Sequence, residues 1–202
     1  MSYIVLSKTV SHALRHEPWV YELELDDAGW VPVDDLLRSL RDMRRWRHVE
    51  RDDLTRMIAS SAKRRYEIDG DRIRALYGHS VPGRIAMVRA DPPEVLFHGT
   101  SPVAWASIQE QGLVPMARQY VHLSTDVGTA VQVGTRKADA PVVLHVHAGE
   151  ASRRGVRFWR GNEMTWLAEG VPPEYLTGLA SEEVRRAARP PGSRREPADP
   201  GP

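Results

Sequence analysis

Two short segments of the chain place a histidine and hydroxyl residues at the end of an apolar run. The first is Phe97-His98-Gly99-Thr100, and the second is Val121-His122-Leu123-Ser124-Thr125. A helix-like stretch separates them. Backbone N–H groups, hydroxyls and an imidazole that converge at strand ends are typical of a cofactor cleft, where apolar neighbours hold them in place. The two segments therefore predict a cofactor site.

Three arginines and one further histidine are candidates for holding a phosphate. Arg15-His16 ends a predicted helix, where the helix dipole favours a cation, so a purely structural role is also open. Arg65 begins a predicted hairpin, and Arg118 shortly precedes the second histidine segment. Each alone is equally compatible with a surface position. Together they could hold a phosphate dianion if two domains face each other.

Other chemistry finds little support in the residue spacing. His145-x-His147 would place two rings on one strand face, but no third ligand has suggestive spacing, and no metal is expected. No Gly-x-Ser-x-Gly elbow and no glycine-rich phosphate loop is present. An arginine-rich run is either a solvated face or a contact to a phosphate backbone. The run comprises Arg38, Arg41, Arg44, Arg45, Arg47 and Arg51.

The bulk composition is that of an ordinary soluble protein. The 202 residues, 41% apolar and 27% charged, suffice for one sizeable core or two small ones. A net charge of +1 gives no general argument for binding polyanions, and the absence of cysteine excludes disulfides, thiolate metal sites and a cysteine nucleophile. No apolar run is long enough to span a membrane, and the N-terminus lacks a signal-peptide pattern. We expect a cytoplasmic protein, with a monomer as the default.

The first part of the chain predicts three helices followed by a hairpin, which is the order of a winged helix. Ser7 is the expected N-cap of a helix that ends near His16. The next two helices start at Asp34-Asp35 and at Asp52-Asp53, with acids at their positive ends. The hairpin turns at Asp69-Gly70, a dipeptide that suits a tight turn. We assign residues 1–80 to this lobe and residues 81–94 to a linker.

Residues 95–188 are richer in strands and form the second predicted lobe. Gly112 is the expected C-cap of its first helix. The apolar segment 164–167 is predicted to pair with the segment 156–159. The tail, residues 189–202, consists mainly of Pro, Arg, Gly and Ser and is predicted to be disordered.

An ordered set of motifs resembles the NAD-dependent RNA 2′-phosphotransferase family. The matches run from about residue 3 to about residue 179, and the ordered set is far more specific than any one motif. They comprise Leu6-Ser7-Lys8-Thr9-Val10-Ser11-His12-Ala13-Leu14-Arg15-His16-x-Pro18, the segment from Leu25 to Leu36, Lys63-Arg64-Arg65-Tyr66-Glu67-Ile68, Tyr77-Gly78-His79-Ser80, Phe97-His98-Gly99-Thr100, Gly112-Leu113 and Arg118-x-x-Val121-His122-Leu123-Ser124.

The resemblance implies an α+β protein, with an N-terminal winged-helix lobe and a C-terminal ADP-ribosyltransferase-like lobe. It implies removal of an internal RNA 2′-phosphate, of the tRNA splice-junction type, with NAD consumed as co-substrate. The phosphate would attack the nicotinamide ribose, giving an ADP-ribosylated RNA intermediate and nicotinamide. The ribose 2″-OH would then attack phosphorus and release ADP-ribose 1″,2″-cyclic phosphate. The resemblance implies no metal.

The same resemblance assigns roles to residues. Arg15, Arg65 and Arg118 would orient the phosphate, and His16 would serve the second step, with its exact proton-transfer role left open. The NAD site would be lined by His98, Gly99, Thr100, Gly112, His122, Leu123, Ser124, Thr125 and Arg136. The chain departs from the family pattern at Gly161-Asn162-Glu163, where acid and amide are swapped, and at Arg136-Lys137-Ala138.

Two alternative functions remain open at this point. One is an ADP-ribosyltransferase that modifies a protein or a nucleic-acid terminal phosphate and stops there. The other is a winged-helix regulator whose second lobe only senses NAD. Neither the physiological RNA nor the role of the arginine-rich run can be read from these residues.

Overall fold

The computed structural model describes residues 2–188, so the predicted disordered tail at 189–202 lies outside the described residues. The N-terminal elements are α1 (Tyr3–Arg15), β1 (Trp30–Pro32), α2 (Val33–Arg41), α3 (Arg51–Ala59), β2 (Tyr66–Asp69) and β3 (Arg72–Ala75), with 3₁₀ turns at Pro18–Tyr21 and Arg44–Trp46. The three strands form an antiparallel sheet in the order β1-β3-β2. The predicted hairpin is confirmed, and Gly70 at its turn has a φ of +52°.

Helix α1 begins earlier than the sequence predicted. Ser2, not Ser7, is its N-cap residue, and the helix starts at Tyr3. Leu6 and Val10 are both fully buried, so the apolar stripe extends upstream of Ser7. The Ser7 carbonyl accepts a hydrogen bond from the Tyr66 hydroxyl at 2.6 Å, which ties the helix to the hairpin.

The remaining elements form a six-stranded sheet with flanking helices. They are β4 (Leu96–Thr100), α4 (Pro102–Gln111), β5 (Val121–Ser124), α5 (Val127–Gly134), β6 (Val142–Val146), α6 (Ala148–Arg153), β7 (Phe158–Arg160), β8 (Thr165–Ala168), a 3₁₀ turn at Pro173–Tyr175, β9 (Leu176–Gly178) and α7 (Ser181–Ala188). Its strand order is β7-β8-β5-β4-β6-β9, and all neighbours are antiparallel. The predicted pairing of the 156–159 and 164–167 segments is confirmed as β7 with β8.

The two histidine segments lie on adjacent strands at the centre of this sheet. Phe97 on β4 faces Ser124 on β5. Helix α5 crosses β4 so closely that a Cβ on Gly99 would stand 1.9 Å from the carbonyl oxygen of Ala130. Only glycine fits there, because any side chain would force the Ala130 carbonyl, and with it helix α5, to move away from β4.

Each sheet has its own buried cluster of apolar side chains. One cluster packs α1, α2 and α3 against the small sheet, and another lies on the six-stranded sheet. The fold is thus α+β with two antiparallel sheets, while the winged-helix and ADP-ribosyltransferase-like labels stay predictions. No helix within residues 2–188 has the length and apolar character to cross a membrane.

Residues 76–95 connect the two sheets, and one glutamine organises them. The Gln119 side chain donates to the carbonyls of Val81 and Gly83 and accepts from the Ile85 N–H at 3.0 Å. Across the chain, the Asn162 amide donates to the Arg64 carbonyl at 2.7 Å. These polar bonds hold the hairpin and the connecting segment against the large sheet.

Candidate active site

Arg15 is a buried cation at the last residue of α1. Its side chain is sandwiched between two aromatic rings, at 5.3 Å from Tyr66 and 5.2 Å from Tyr77, and only 8% of the residue is exposed. Nη2 donates to the Arg65 carbonyl at 3.2 Å, but Nε has no hydrogen-bond partner among residues 2–188. Burial lowers the pKa of Arg15, yet a guanidinium keeps its proton in proteins. The buried guanidinium therefore keeps a positive charge that hydrogen bonds within the described residues compensate only in part.

The guanidinium groups of Arg118 and Arg15 both lie beside Gly78. A Cβ built on Gly78 would lie 3.4 Å from Nη1 of both arginines, and the φ of this glycine is +91°. The two guanidiniums therefore flank one point of backbone, although they come from different lobes. Arg118 also lowers the pKa of Arg15 through charge repulsion. A dianion between them would relieve that repulsion.

His16 lies beside these arginines and is held by a serine. Its Nδ1 is 2.8 Å from the Ser80 hydroxyl, and the Ser80 N–H donates to the Arg15 carbonyl at 2.8 Å. Partial burial lowers the pKa of His16, and the charges of Arg15 and Arg118 lower it further. The imidazole is consequently neutral at pH 7, and Nδ1 is already engaged.

Arg65 is close to the group but points along its own loop. Its Nη1 donates to the Ser61 hydroxyl at 2.6 Å and to the Lys63 carbonyl at 3.4 Å. Its charge still reaches Arg15, whose pKa it lowers. The structure thus brings Arg15, His16 and Arg118 together directly, with Arg65 at their edge.

His98 and His122 form a hydrogen-bonded pair across β4 and β5. Since a carbonyl only accepts, the 2.9 Å contact means that Nδ1 of His98 donates to the His122 carbonyl, which leaves Nε2 as an acceptor. Burial lowers the pKa of His98 to about 4 and that of His122 to about 3. Both rings are neutral at pH 7.

His122 also orients Arg118. Arg118 Nη1 lies 3.4 Å from Nε2 of His122, and an arginine can only donate. The His122 ring bonds the backbone of Tyr120 on its other side and stands edge-on to Tyr77 at 5.8 Å. The histidine segment therefore connects the expected cofactor strand to the arginine group.

Among the other residues expected to contact the cofactor, some carry hydroxyls on or next to β4 and β5, and others pack inside the protein. Thr100 and Ser124 are buried hydroxyls on β4 and β5, and Thr125 follows them with partial exposure. Leu123 is 1% exposed and belongs to the core. Gly112 has a φ of +75°, and a Cβ there would stand 2.3 Å from the Val171 carbonyl, so its close contacts are to the chain near Val171.

A second cluster of cations lies across the two lobes. The charges of Arg136 and Arg65 both lower the pKa of Lys63, although its burial has the larger effect. Arg136 is exposed and follows α5. Its neighbour Lys137 lowers the pKa of His98. Lys63 and Lys137 were not selected from the sequence, because a lone lysine carries no spacing signal.

Sequence reasoning also missed the residues that hold the site. Tyr66, Tyr77 and Ser80 stood inside matched motifs without an assigned role. Asn162 was noted only as a departure from a pattern, yet it bonds the Arg64 carbonyl and, at 3.3 Å, the Tyr77 hydroxyl. Of these residues, only Tyr66 could have been singled out from the sequence. It directly follows Arg65, and consecutive strand residues point to opposite faces, so its ring would lie on the face opposite the Arg65 side chain.

Four of the six arginines in the arginine-rich run have partners of their own, and one of them, Arg45, lies over the Trp46 ring at 5.2 Å. Arg38 pairs with Asp35 at 2.8 Å, and Arg41 donates to the Val49 carbonyl at 3.0 Å. Arg51 pairs with Asp71 at 3.0 Å. The rings of His145 and His147 are 4.7 Å apart, and residues 2–188 contain no group of three or more potential metal ligands.

Comparison with known proteins defines the class of the chain as a transferase. The model of the RNA 2′-phosphotransferase, Tpt1 / KptA family matches residues 2–170, and the chain belongs to that family. A probable RNA 2′-phosphotransferase from Bacillus thuringiensis subsp. konkukian (strain 97-27) is 52% identical over 174 residues, which is 86% of this chain and 94% of the relative. One from Acetivibrio thermocellus is 52% identical over 176 residues, covering 87% and 97%. One from Streptomyces griseus subsp. griseus is 40% identical over 185 residues, covering 86% and 95%.

Proposed function

We propose that this protein removes an internal 2′-phosphate from RNA and consumes NAD in doing so. The observation that carries the proposal is the approach of Arg15 and Arg118 to the same point at Gly78, beside a neutral His16. The family is named for the 2′-phosphate of RNA. A dianionic phosphate would supply the negative charge that the buried Arg15 and the exposed Arg118, which repel each other, lack.

The phosphate would be gripped by guanidiniums from both lobes. Arg15 would present Nη1, which lies beside Gly78, and Arg118 would present the donors that His122 leaves free. Arg65 would join by exchanging its bond to the Ser61 hydroxyl for one to phosphate. Arginine suits this task because its planar fork matches two phosphate oxygens at once.

The residues at the His98–His122 pair fit NAD as the second substrate. His98 is neutral and presents Nε2 as an acceptor, which suits a ribose hydroxyl. The hydroxyls of Thr100 and Ser124 lie on the same two strands, and that of Thr125 directly follows β5, while Gly99 lets helix α5 pack closely against β4. Exposed Arg136 follows α5 and would meet the pyrophosphate.

The proposed reaction has two steps. In the first, a 2′-phosphate oxygen forms a bond to the ribose C1″ while the bond to nicotinamide breaks. In the second, the ribose 2″-OH loses its proton and attacks phosphorus, the bond to the RNA 2′-oxygen breaks, and that oxygen takes a proton. His16 would move the proton, and the arginines would stabilise the extra charge on phosphorus. The products are nicotinamide, RNA with a 2′-OH and ADP-ribose 1″,2″-cyclic phosphate.

The two lobes would divide the work between them. We propose that residues 1–80 form a winged-helix lobe that binds RNA, and that residues 95–188 form an ADP-ribosyltransferase-like lobe that binds NAD, joined by the 81–94 linker. The neighbouring strands β4 and β5 support the second assignment, because they bring the two histidine segments together. The RNA of tRNA splicing is the proposed substrate class.

Product analysis tests the proposal. The protein is incubated with NAD and an oligonucleotide that carries one internal 2′-phosphate, and each product is identified by mass. Equal amounts of nicotinamide, cyclic phosphate and dephosphorylated RNA are expected. An ADP-ribosyl adduct that accumulates without cyclic phosphate would favour a terminal-phosphate or protein ADP-ribosyltransferase. No nicotinamide at high enzyme concentration would favour an NAD-sensing regulator.

A further inference from the structure

A cavity of about 450 Å³ lies between the first lobe and the connecting segment. One wall contains Pro18 and Trp19 of the 3₁₀ turn, and the other runs from Val81 to Ile85. Its size suits a nucleoside, since ligand sites range from about 300 to 1,000 Å³. Pro18 and the segment from Leu25 to Asp27 belong to the matched motifs, but none of the residues that line the cavity has been assigned a role in binding the phosphate or NAD.

The cavity is held open by fixed bonds. The Ala86 N–H donates to the Asp27 carbonyl at 2.7 Å, so the two walls are joined at one end. The Gln119 side chain fixes the second wall through Val81, Gly83 and Ile85. Such a cavity does not need to be rearranged to accept a ligand.

The polar groups around the cavity indicate which kind of ligand it would bind. Arg84 is engaged by Glu169 at 2.6 Å, and Asp26 is engaged by Arg72 and by its own loop. Within residues 2–188, the Asp27 carboxylate has neither an ion pair nor a side-chain hydrogen bond. An open carboxylate disfavours a phosphate and favours an uncharged ring that carries N–H donors.

Trp19 offers a surface on which such a ring can stack. It is 56% exposed, although large aromatic side chains usually bury most of their area. Stacking of an RNA base on an aromatic ring is the usual way in which single-stranded RNA is held.

Both walls continue directly from the proposed phosphate site. Trp19 is three residues beyond His16, and Val81 follows Ser80, whose hydroxyl bonds His16. At 3.8 Å for each Cα step, the Trp19 Cα lies within about 11 Å of that of His16. A nucleotide next to the 2′-phosphate can reach the cavity.

We propose that this cavity is a subsite for an RNA base that flanks the 2′-phosphate. The base stacks on Trp19, and its amino group donates a hydrogen bond to the Asp27 carboxylate. Bases with an exocyclic amino group are preferred over uracil, whose two carbonyls flank its single N–H. The subsite rests on the proposed function, because its occupant is part of the same RNA.

Binding of fluorescently labelled oligonucleotides without NAD tests the subsite. Trp19→Ala should weaken binding about tenfold, within the range found when a stacked aromatic is removed, and Trp19→Phe should weaken it less. Val20→Ala is the matched control, because Val20 is the next residue, is 59% exposed and does not line the cavity. It should leave binding within about twofold. Thermal melting checks that each variant is folded.

Changes in the RNA complete the test. An abasic nucleotide is placed on each side of the phosphate in turn; on the side whose base the subsite holds, it should weaken binding to the unmodified protein and have no further effect on Trp19→Ala. Asp27→Asn should reduce the preference for cytidine over uridine at that position. The subsite is wrong if Trp19→Ala behaves as Val20→Ala, if the abasic and Trp19 effects are additive, or if only the KM for NAD changes.

Turnover measured in parallel separates this proposal from the proposed function. If Trp19 governs binding but the unmodified protein releases no nicotinamide, the subsite stands and the proposed reaction fails. If the protein produces cyclic phosphate and Trp19→Ala binds normally, the reaction stands and the subsite fails.

Discussion

Arg15 combines two conditions that rarely occur together in a side chain. It is almost fully buried between two tyrosine rings, and it retains a donor without a partner in the described part of the chain. The rings compensate part of the desolvation cost through their negative faces. Arg118 adds repulsion at Gly78. A bound anion, as the proposed function requires, would stabilise this arrangement.

Removing the arginine or the histidine should abolish product formation and leave the fold intact. Arg15→Ala and His16→Ala are each expected to lower the rate by about 100-fold or more, since charge stabilisation and proton transfer contribute factors of that size. Nicotinamide release and cyclic phosphate should be quantified separately, because a variant impaired mainly in the second step will accumulate ADP-ribosylated RNA.

The control for this pair is Arg153→Ala, which removes an exposed arginine paired with Glu94 outside the site. It should turn over at the normal rate. Normal turnover by both Arg15→Ala and His16→Ala would show that the roles assigned to these residues are wrong.

The pH dependence of the reaction rate should reflect the lowered pKa of His16. Burial and two guanidiniums lower the pKa of His16 below 6.5, so the neutral imidazole persists as the pH falls past that value. If the neutral ring accepts the proton in the second step, then between pH 7.5 and pH 5 the rate should decline at a lower pH than that at which an unperturbed histidine takes up its proton. Single-turnover formation of cyclic phosphate across this range is the measurement. A rate that rises as the pH falls through 6.5 would contradict the base role.

At the scale of elements, the site depends on how closely α5 approaches β4. Gly99 faces the Ala130 carbonyl, and Gly134 of the same helix packs near the Gly99 backbone. The helix thus lies directly over the strand that carries His98. This contact fixes the position of the strand that carries His98 and Thr100, two of the residues proposed to bind NAD.

Gly99→Ala should therefore be severely destabilising. A methyl group 1.9 Å from a backbone carbonyl requires movement of α5, so we expect a loss of at least about 3 kcal/mol of unfolding free energy, comparable to large packing defects. Gly83→Ala is the matched control, because Gly83 has a φ of +79° and open space around its Cβ. It should cost only about 1 kcal/mol from backbone strain. Urea unfolding of both variants provides the comparison, and equal losses would rule out the packing explanation.

At the scale of the molecule, the parts of the chain that carry the two sheets meet through polar contacts and a buried histidine. Asn162 links the large sheet to the hairpin, and the Gln119 N–H donates to the His79 carbonyl. His79 is 4% exposed, and its Nε2 has no partner in residues 2–188. Burial lowers the pKa of His79 to about 4, so this junction is built around a neutral ring.

The free energy of unfolding should fall in mild acid because of His79. In the unfolded chain His79 binds a proton below about pH 6.5, whereas in the folded protein it does so only below about 4. Stability is therefore complete above 6.5 and declines as the pH falls towards 4, by about 2 kcal/mol at pH 5 from this residue. Urea unfolding of the unmodified protein and of His79→Gln at pH 7 and pH 5 measures the difference in slope.

His48→Gln is the control for that experiment, because His48 is exposed. It should keep the pH dependence of the unmodified protein, whereas His79→Gln should lose part of it. Equal pH dependence in all three proteins would mean that His79 is not the proton-linked group.

Much of the fold was accessible from local patterns. The Asp69-Gly70 turn, the strand pair at 156–168 and the two histidine segments were predicted from residues that are neighbours in sequence. The start of α1 was missed, because Ser7 resembles a cap while the buried stripe continues upstream to Leu6. Cap residues are common inside helices, and only packing distinguishes the two cases.

The sequence by itself determined many of the elements, the family resemblance and the candidate residues Arg15, His16 and Arg118, because periodicity and ordered motifs are local properties. The tertiary structure alone decided which atoms meet. It placed two guanidiniums at Gly78, turned His122 towards Arg118 and opened a cavity beside Trp19. The physical reason is that these contacts join residues far apart in the chain, and their geometry follows from how the two cores pack rather than from any local pattern.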